Sequence, residues 1–468
     1  MEDAHFAVEG AGTTVVHPVG LIMLLLCGGL FILLPRRQAI WPFILLLCVI
    51  SPRQAVAIGG FNLYFARFVV LLLGPLRGLL RGELNGSRWN RLDLLVVLFG
   101  LWSFFAGALN FDFSAAVMKQ RSGYFSEMLG TYFLCRMLLR DIDDVKSAVS
   151  ALSLISLPIL MFFLVEYSTG RNMFSAFGGV PEITTTREGR MRCQGAFGHP
   201  IMAGVFWATM LPLILAGVVG RWRGHYWYII GSVAGIGAIL LTASSTPLLG
   251  IAVFIVAWCL FPVRRYAKYW FMALGLLILL LHLIMKSPVW SLIQRIDVTP
   301  GNSAYHRYII VDAFMTHAHE WWLMGSRVGT EHWGHFTFDT ANQFVSTGVS
   351  SGILGLCLLF MIISVAMRAS GRMQIECPEL GWGTGVSIFV LSVCFFGISI
   401  WAQMHFAWAF PIAIAGSLGF KSVEPVDDEE QIVGTVGVNV PWRQKIGQLN
   451  RSPGQKRNLV PNDSQEYN

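Results

Sequence analysis

Charge is what this chain has least of. Asp, Glu, Lys and Arg make up 13% of its 468 residues, about half the share of an ordinary soluble domain. Hydrophobic residues make up 54%, which excludes a disordered chain, since that class is poor in apolar residues and rich in charge. Also missing is any Cys-x-x-Cys pair or Cys/His zinc spacing. Cys27, Cys48, Cys135, Cys259, Cys357 and Cys394 sit in apolar runs and read as small buried hydrophobes. Neither a disulfide framework nor a structural zinc module fits. No internal repeat is visible either.

What the chain does have is long uncharged runs. A spanning helix takes about 20 mostly apolar residues. Such runs cover residues 18–35, 94–111, 147–165, 199–220, 269–285 and 342–367. Two longer runs, 225–263 and 381–420, have room to cross twice, with turns at 242–247 and near 403–405. Weaker candidates are 38–51, 61–80 and 123–137. By length this amounts to about 12 or 13 spans. The expected fold is therefore all-α, a polytopic transmembrane bundle over residues 1–420. Two external loops, 169–198 and 286–341, belong to it. Residues 421–468, with four acidic residues at 427–430, read as a solvated tail with no catalytic role.

The net charge of +7 needs no nucleic-acid partner. If the start of the chain, with Glu2, Asp3 and Glu9, lies outside, every short basic cluster falls on the cytoplasmic side. These clusters are Arg36/Arg37, Arg81/Arg88/Arg91, Arg136/Arg140/Lys146, Arg221/Arg223, Arg264/Arg265/Lys268 and Arg368/Arg372. That is the arrangement the positive-inside rule demands. It puts the tail in the cytoplasm and both long loops outside. The acidic start also argues against a cleaved signal peptide.

The external loops break this pattern. Residues 169–198 carry Arg171, Arg187, Arg190 and Arg192; residues 286–341 carry Arg295, Arg307 and Arg327. The second loop also holds five of the eleven histidines, namely His306, His317, His319, His332 and His335. Guanidinium groups fork onto phosphate oxygens, and imidazole accepts a hydroxyl proton near neutral pH. Taken singly these residues have plain readings too. His199 before Pro200 suits a helix cap, Arg307 could pair with Asp312 or Glu320, and His317-x-His319 lacks the partners of a metal site. Trp321, Trp322 and Trp333 fit either an interfacial belt or a sugar-stacking surface. Most spans are free of ionisable groups, with Arg67, Glu127 and His282 as exceptions.

The order of motifs says more. Arg187-Glu-Gly-Arg190-Met-Arg192-Cys-Gln-Gly195-Ala-Phe-Gly-His199-Pro200 leads from a loop into a span. Leu241-Thr-Ala-Ser-Ser-Thr-Pro247 follows at a hairpin, then the loop with Arg307 and Trp321-Trp-Leu-Met-Gly325-Ser-Arg-Val-Gly329. Last comes Asp339-Thr-Ala-Asn342-Gln343-Phe344, ahead of Gly348, Gly352 and Gly355. From about Leu94 to Met367 this series resembles the O-antigen ligase and O-antigen/exopolysaccharide polymerase family of bacterial envelope proteins.

The resemblance implies a GT-C-like enzyme of the inner membrane, without metal or other cofactor. It would transfer glycan from undecaprenyl diphosphate to a glycan or lipid acceptor on the periplasmic side. Arg307 matches the loop arginine, and Arg190 or Arg192 the one before the Gly-x-Phe-x-His-Pro-like stretch; with Arg187, His199, Asn342 and Gln343 these form the expected substrate-binding set. Ala341 stands where the family has a histidine before the asparagine, and Ser244-Ser245-Thr246 where it often has Ser-Arg. His332, His335 and Asp339 are then the replacements for the missing base, beside Arg307 as the catalytic cation. A flippase or transporter of lipid-linked glycans and an inactive membrane scaffold are the alternative expectations.

Overall fold

The computed structural model describes residues 14–58, 61–84, 88–110, 113–295, 303–334, 337 and 340–420. The tail 421–468, His335 and Asp339 lie outside the described residues. The described chain is helical apart from two short antiparallel hairpins. Helices α1 (Pro18–Leu33) and α2 (Arg36–Val49) precede strands β1 (Ala55–Ile58) and β2 (Phe61–Tyr64). After them come α3 (Phe65–Phe68), α4 (Gly74–Leu80), α5 (Arg91–Asn110), α6 (Ala115–Leu138) and α7 (Ile142–Thr169). The second hairpin, β3 (Thr186–Arg187) and β4 (Arg190–Met191), leads into α8 (Pro200–Val219), α9 (His225–Leu241), α10 (Ser245–Cys259) and α11 (Ala267–Ile284). The large loop contains α12 (Ser303–Thr316) and α13 (Ala318–Trp321); then follow α14 (Gln343–Met373), α15 (Pro378–Cys394) and α16 (Met404–Leu418).

Four helices, α5, α7, α8 and α14, are long and apolar enough to cross a membrane. Two bent pairs raise this to six if each is one span: Ser245–Cys259 with Phe261–Trp270 at 81°, and Met272–Ile284 with Val289–Arg295 at 96°. The chain is a multi-pass membrane protein. The other expected spans fold shorter: α1, α9, α15 and α16 are apolar but 10–17 residues long. The run 61–80 breaks into β2, α3, a π-helical turn at Val69–Leu73 and α4, so its apolar stretch never forms one uninterrupted helix.

Burial follows hydrophobicity in an unusual way. All of α16 and most of α8 are buried, so these helices, apolar all round, form the centre. Outward, Leu25, Leu26, Leu98, Phe105, Val233 and Leu279 are exposed apolar side chains, the surface a lipid-facing bundle presents.

The bundle has two chemically distinct ends. At one, Arg36 pairs with Asp141 and Asp144 at 2.9 Å, and Arg37 with Asp143 at 3.0 Å. Arg77 caps the last carbonyls of α1, at Phe31, Ile32 and Leu34, and pairs with Glu83; cations suit a helix C-terminus. Lys146 stacks over Trp222, and Arg372 over Phe420. The α7 helix starts at this end with a capping box between Asp141 and Asp144, and it finishes among the arginine loops at the other. These basic residues and the arginine loop after α7 are thus at opposite ends of that helix.

One glycine shapes the loop end. Gly352 breaks α14 at φ 64°, ψ −167°, a conformation open essentially to glycine. The break exposes the Ile353 N–H to the Trp322 carbonyl at 2.9 Å. A Cβ at 352 would meet the Leu323 carbonyl oxygen at 2.4 Å. The large loop is seated on α14 through this gap.

Candidate functional site

The site begins with a buried carboxylate. Glu166, near the end of α7, is fully buried and accepts hydrogen bonds from the Gln194 and Gly195 N–H groups at 3.0 and 3.1 Å and from the Thr184 hydroxyl at 3.2 Å. Asn172 donates its Nδ2 to the Gly195 carbonyl at 2.8 Å. The Cys193 N–H then reaches the Leu241 carbonyl at 3.1 Å. The first arginine loop is thereby pinned against the turn between α9 and α10.

Two arginines meet at that turn. Arg192 donates to Ser244 Oγ at 2.8 Å. Arg307, presented by α12 from the other long loop, donates to Ser245 Oγ at 2.9 Å and Thr246 Oγ1 at 2.8 Å. All three hydroxyl residues are buried, while both arginines remain half-exposed. Gly397 closes the site from the segment after α15: a Cβ there would lie 2.5 Å from Thr246 Oγ1 and 3.1 Å from Arg307 Nε. The turn is also the N-terminus of α10, whose Ser244 cap makes no side-chain bond to the helix. Unsatisfied N–H groups and the helix dipole add positive potential beside the two guanidiniums. Such a place can hold a doubly charged oxyanion.

Most of the remaining expected residues have other duties. Arg187 and Arg190 face each other across β3–β4 on an exposed tip, separate from the buried turn that Arg192 reaches. His199 caps α8, its Nδ1 accepting from the Ile201 N–H at 3.1 Å, so the capping role holds. Asn342 caps α14 through Oδ1. Gln343 braces the segment after α15: its Oε1 accepts from the Ile400 N–H at 2.6 Å and its own N–H donates to the Phe395 carbonyl.

His332 belongs to a cluster with Glu320 and Trp333 in the large loop. It sits 41% exposed at 2.7 Å from Glu320, which also accepts from the Trp333 indole at 2.9 Å. His317 stacks on Trp333, ring centroids 5.2 Å apart. Trp321 instead packs inward on Phe314. Asp312 accepts from Trp290 at 2.9 Å. Among the described residues no group of three or more His, Cys, Asp or Glu is arranged to hold a metal.

The Trp333 indole N–H, ahead of His332, holds the Glu320 carboxyl below the ordinary glutamate range. A carboxyl depressed by folding stabilises above its unfolded pKa, near 4.3 or so for glutamate, and that contribution disappears as pH falls through the folded value. Amide protection over residues 317–334, measured relative to intrinsic exchange at each pH, is therefore expected to hold from neutrality to about pH 5 and to fall below about pH 4, so that exchange accelerates relative to the intrinsic rate. Glu320→Gln should flatten this dependence. Equal acceleration in wild type and variant would remove Glu320 as its cause.

A second polar cluster lies at the same end, inside the bundle. Glu127 on α6 pairs through Oε2 with Arg67 of α3 at 2.8 Å and through Oε1 with His405 Nδ1 of α16 at 3.1 Å. Glu127 and His405 are 4% and 3% exposed. Sequence reading misses His405 because it lies in an uncharged run, and misses Glu166 because it stands one residue beyond one. Of this cluster, Arg67 and Glu127 interrupt apolar stretches visibly enough to signal a site.

No protein-family model matches this chain, and no curated protein is significantly similar to it.

Proposed function

We propose that this protein is an envelope glycan transferase of the bacterial inner membrane, a polymerase or ligase working at the periplasmic face. Its donor is a glycan on undecaprenyl diphosphate, and its acceptor is a second glycan or a lipid-anchored one. The observation that carries this is the meeting of Arg192 and Arg307. They come from two separate loops and bond three successive hydroxyls at one helix N-terminus.

The chemistry follows from that meeting. Displacement at the anomeric carbon leaves charge on the departing diphosphate, and preorganised donors stabilise such charge most where it develops. The Ser244–Thr246 hydroxyls hold both guanidiniums in place before the donor arrives, so little reorganisation is needed. Both arginines are partly exposed at this turn. A GT-C-like arrangement, with the large loop 286–341 covering the site, is part of this reading, as is a cytoplasmic tail.

The test uses the purified protein in proteoliposomes with an undecaprenyl-diphosphate-linked oligosaccharide. Formation of extended or transferred glycan with release of undecaprenyl diphosphate supports the reading. Movement of the intact donor across the bilayer with no glycan product would replace it with a transporter.

A further inference from the structure

The large loop carries an apolar surface that the arginine site does not use. Trp322, Leu323 and Met324 follow α13 and are 55%, 59% and 36% exposed. Trp321, one residue earlier, is buried and stacks on Phe314 with centroids 3.9 Å apart. Two successive tryptophans thus face opposite ways. We propose that Trp322–Met324 is a membrane anchor, seated in the headgroup and upper acyl region of the bilayer at the loop end.

The segment lies where two lipid-facing stripes end. Past its break at Gly352, α14 exposes Ile353, Leu354, Phe360 and Met361 along one side, the spacing of a single helix face. The Ile353 N–H bonds the Trp322 carbonyl at 2.9 Å, and a Cβ at Gly352 would meet the Leu323 backbone. On the other flank Asn110, the last residue of α5, donates to the Met324 carbonyl at 2.8 Å. That helix exposes Leu94, Leu98, Leu101 and Phe105 along its own outer side. Apolar surface therefore continues from two spans onto the loop.

Helix length sets the depth. Both spans meet the basic end near the close of α16: Asn90, just before α5, donates to the Gly416 carbonyl at 2.8 Å, and Arg372 lies over the Phe420 ring. Exposed Arg91 and Arg368 mark the membrane boundary there, since a charge facing hydrocarbon is costly. From Arg91 to Asn110 is 20 residues, and Gly352 stands 20 positions before Arg372. At about 1.5 Å per residue each stretch is about 30 Å long, one hydrocarbon thickness. Both spans therefore bring Trp322–Met324 to the opposite boundary, where tryptophan is enriched because its ring is apolar and its N–H polar. The chain then climbs outward. The Ser326 N–H bonds the Val349 carbonyl at 2.7 Å, about one turn further out along α14, which turns exposed Arg327 towards the lipid phosphates.

The anchor is coupled to the helix that presents Arg307. Trp321 and Phe314 share a small core with Ile310, Val345 and Leu356. Ile310 and Phe314 belong to α12, and Val345 and Leu356 to α14. Lipid that holds Trp322 on its outer side thus helps to hold α12 on α14 through the residue next to it. The anchor follows from the fold and does not depend on glycan transfer.

Depth is measured by spin labelling the full chain in proteoliposomes, with the exposed cysteines Cys259 and Cys357 replaced by alanine. Leu323→Cys and, separately, Trp322→Cys carry the label. Val233→Cys on the exposed side of α9 is the lipid reference, and Glu331→Cys in the same large loop is the water reference. Labels at 322 and 323 should collide more often with oxygen than with a water-soluble nickel chelate, as at 233. They should read about 5–10 Å below the lipid phosphates, the depth of an interfacial helix's apolar face. Chelate access as high as at 331 would overturn the anchor. Shielding from both probes would mean that protein, such as a second copy of this chain, covers the patch, and the lipid assignment would fall. A second measurement needs no label: Trp322→Ser with Leu323→Ser, in bilayers, should raise amide exchange over Ser303–Thr316 severalfold and leave α8 unchanged. Wild-type exchange over α12 in that variant would deny the segment any holding role and sink the proposal. Neither measurement uses a glycan donor, so failure of the transferase reading leaves both outcomes intact.

Discussion

Arg307→Ala is expected to lower glycan transfer by about 10²–10³-fold, the loss typical of removing one preorganised donor to a developing oxyanion. The protein should remain folded, because Arg307 is partly exposed and its truncation strands no buried charge, only two neutral hydroxyls that lose one donor. Arg307→Lys separates charge from shape. An ammonium keeps the positive charge but has no second nitrogen with which to fork onto phosphate oxygens as a planar guanidinium does, so an intermediate rate is expected. Arg192→Ala should also lose rate, and the double variant should lose less than the two single losses combined, since both groups act on one diphosphate. Full activity of Arg307→Ala in the proteoliposome assay would dismiss the arginine site. Additive losses would mean that the two arginines serve different parts of the donor.

The ends of the bundle were readable from sequence, and the reason is electrostatic. Short loops must keep their Lys and Arg on one side, so Arg36, Arg37, Arg136 and Arg372 report their own location, and the structure gathers them at one end. Spans were less readable. Hydropathy counts apolar residues, but it does not see the β1–β2 pairing that interrupts residues 61–80, nor the 81° bend after Cys259.

The site was half-readable. Arg192 and Arg307 stood out because they are arginines in long loops apart from the short basic clusters, whereas Arg187 and Arg190 sent the same signal from an exposed hairpin. Charge alone cannot tell a cation that points inward from one in solvent. His199, Asn342 and Gln343 shared the motif context but serve as caps and a brace; a polar residue before an apolar run looks the same whether it caps the helix or binds a ligand. His405 gave no signal because neutral histidine adds no charge to a run, and its partner Glu127 is far away in sequence.

Asp93→Ala is expected to produce the largest loss of stability. Asp93, 2% exposed, receives Arg136 Nε at 2.9 Å and a second guanidinium nitrogen at 3.0 Å. It also receives the Tyr132 hydroxyl at 2.7 Å and the Asn90 N–H at 2.9 Å. Arg136 continues to Ser417 Oγ at 2.8 Å and the Arg88 carbonyl at 3.0 Å. One carboxylate thus ties α5, α6 and α16 together at the basic end. Truncating it strands a guanidinium in a buried setting, and breaking such a pair from one side costs about 3–5 kcal/mol. Asp93→Asn retains an acceptor but loses the charge, so a smaller loss is expected. The informative combination is Asp93→Ala with Arg136→Met. With both charges removed, the desolvation penalty goes with the attraction, and much of the stability should return. Unfolding titrations of detergent-solubilised protein measure all four forms. Equal stability of wild type and Asp93→Ala would refute the tie, and failure of the double variant to recover would locate the loss in the Tyr132 and Asn90 bonds instead. Because this pair sits at the opposite end from Arg192 and Arg307, transfer by the surviving folded fraction should keep its wild-type rate, which separates holding the bundle together from catalysing within it.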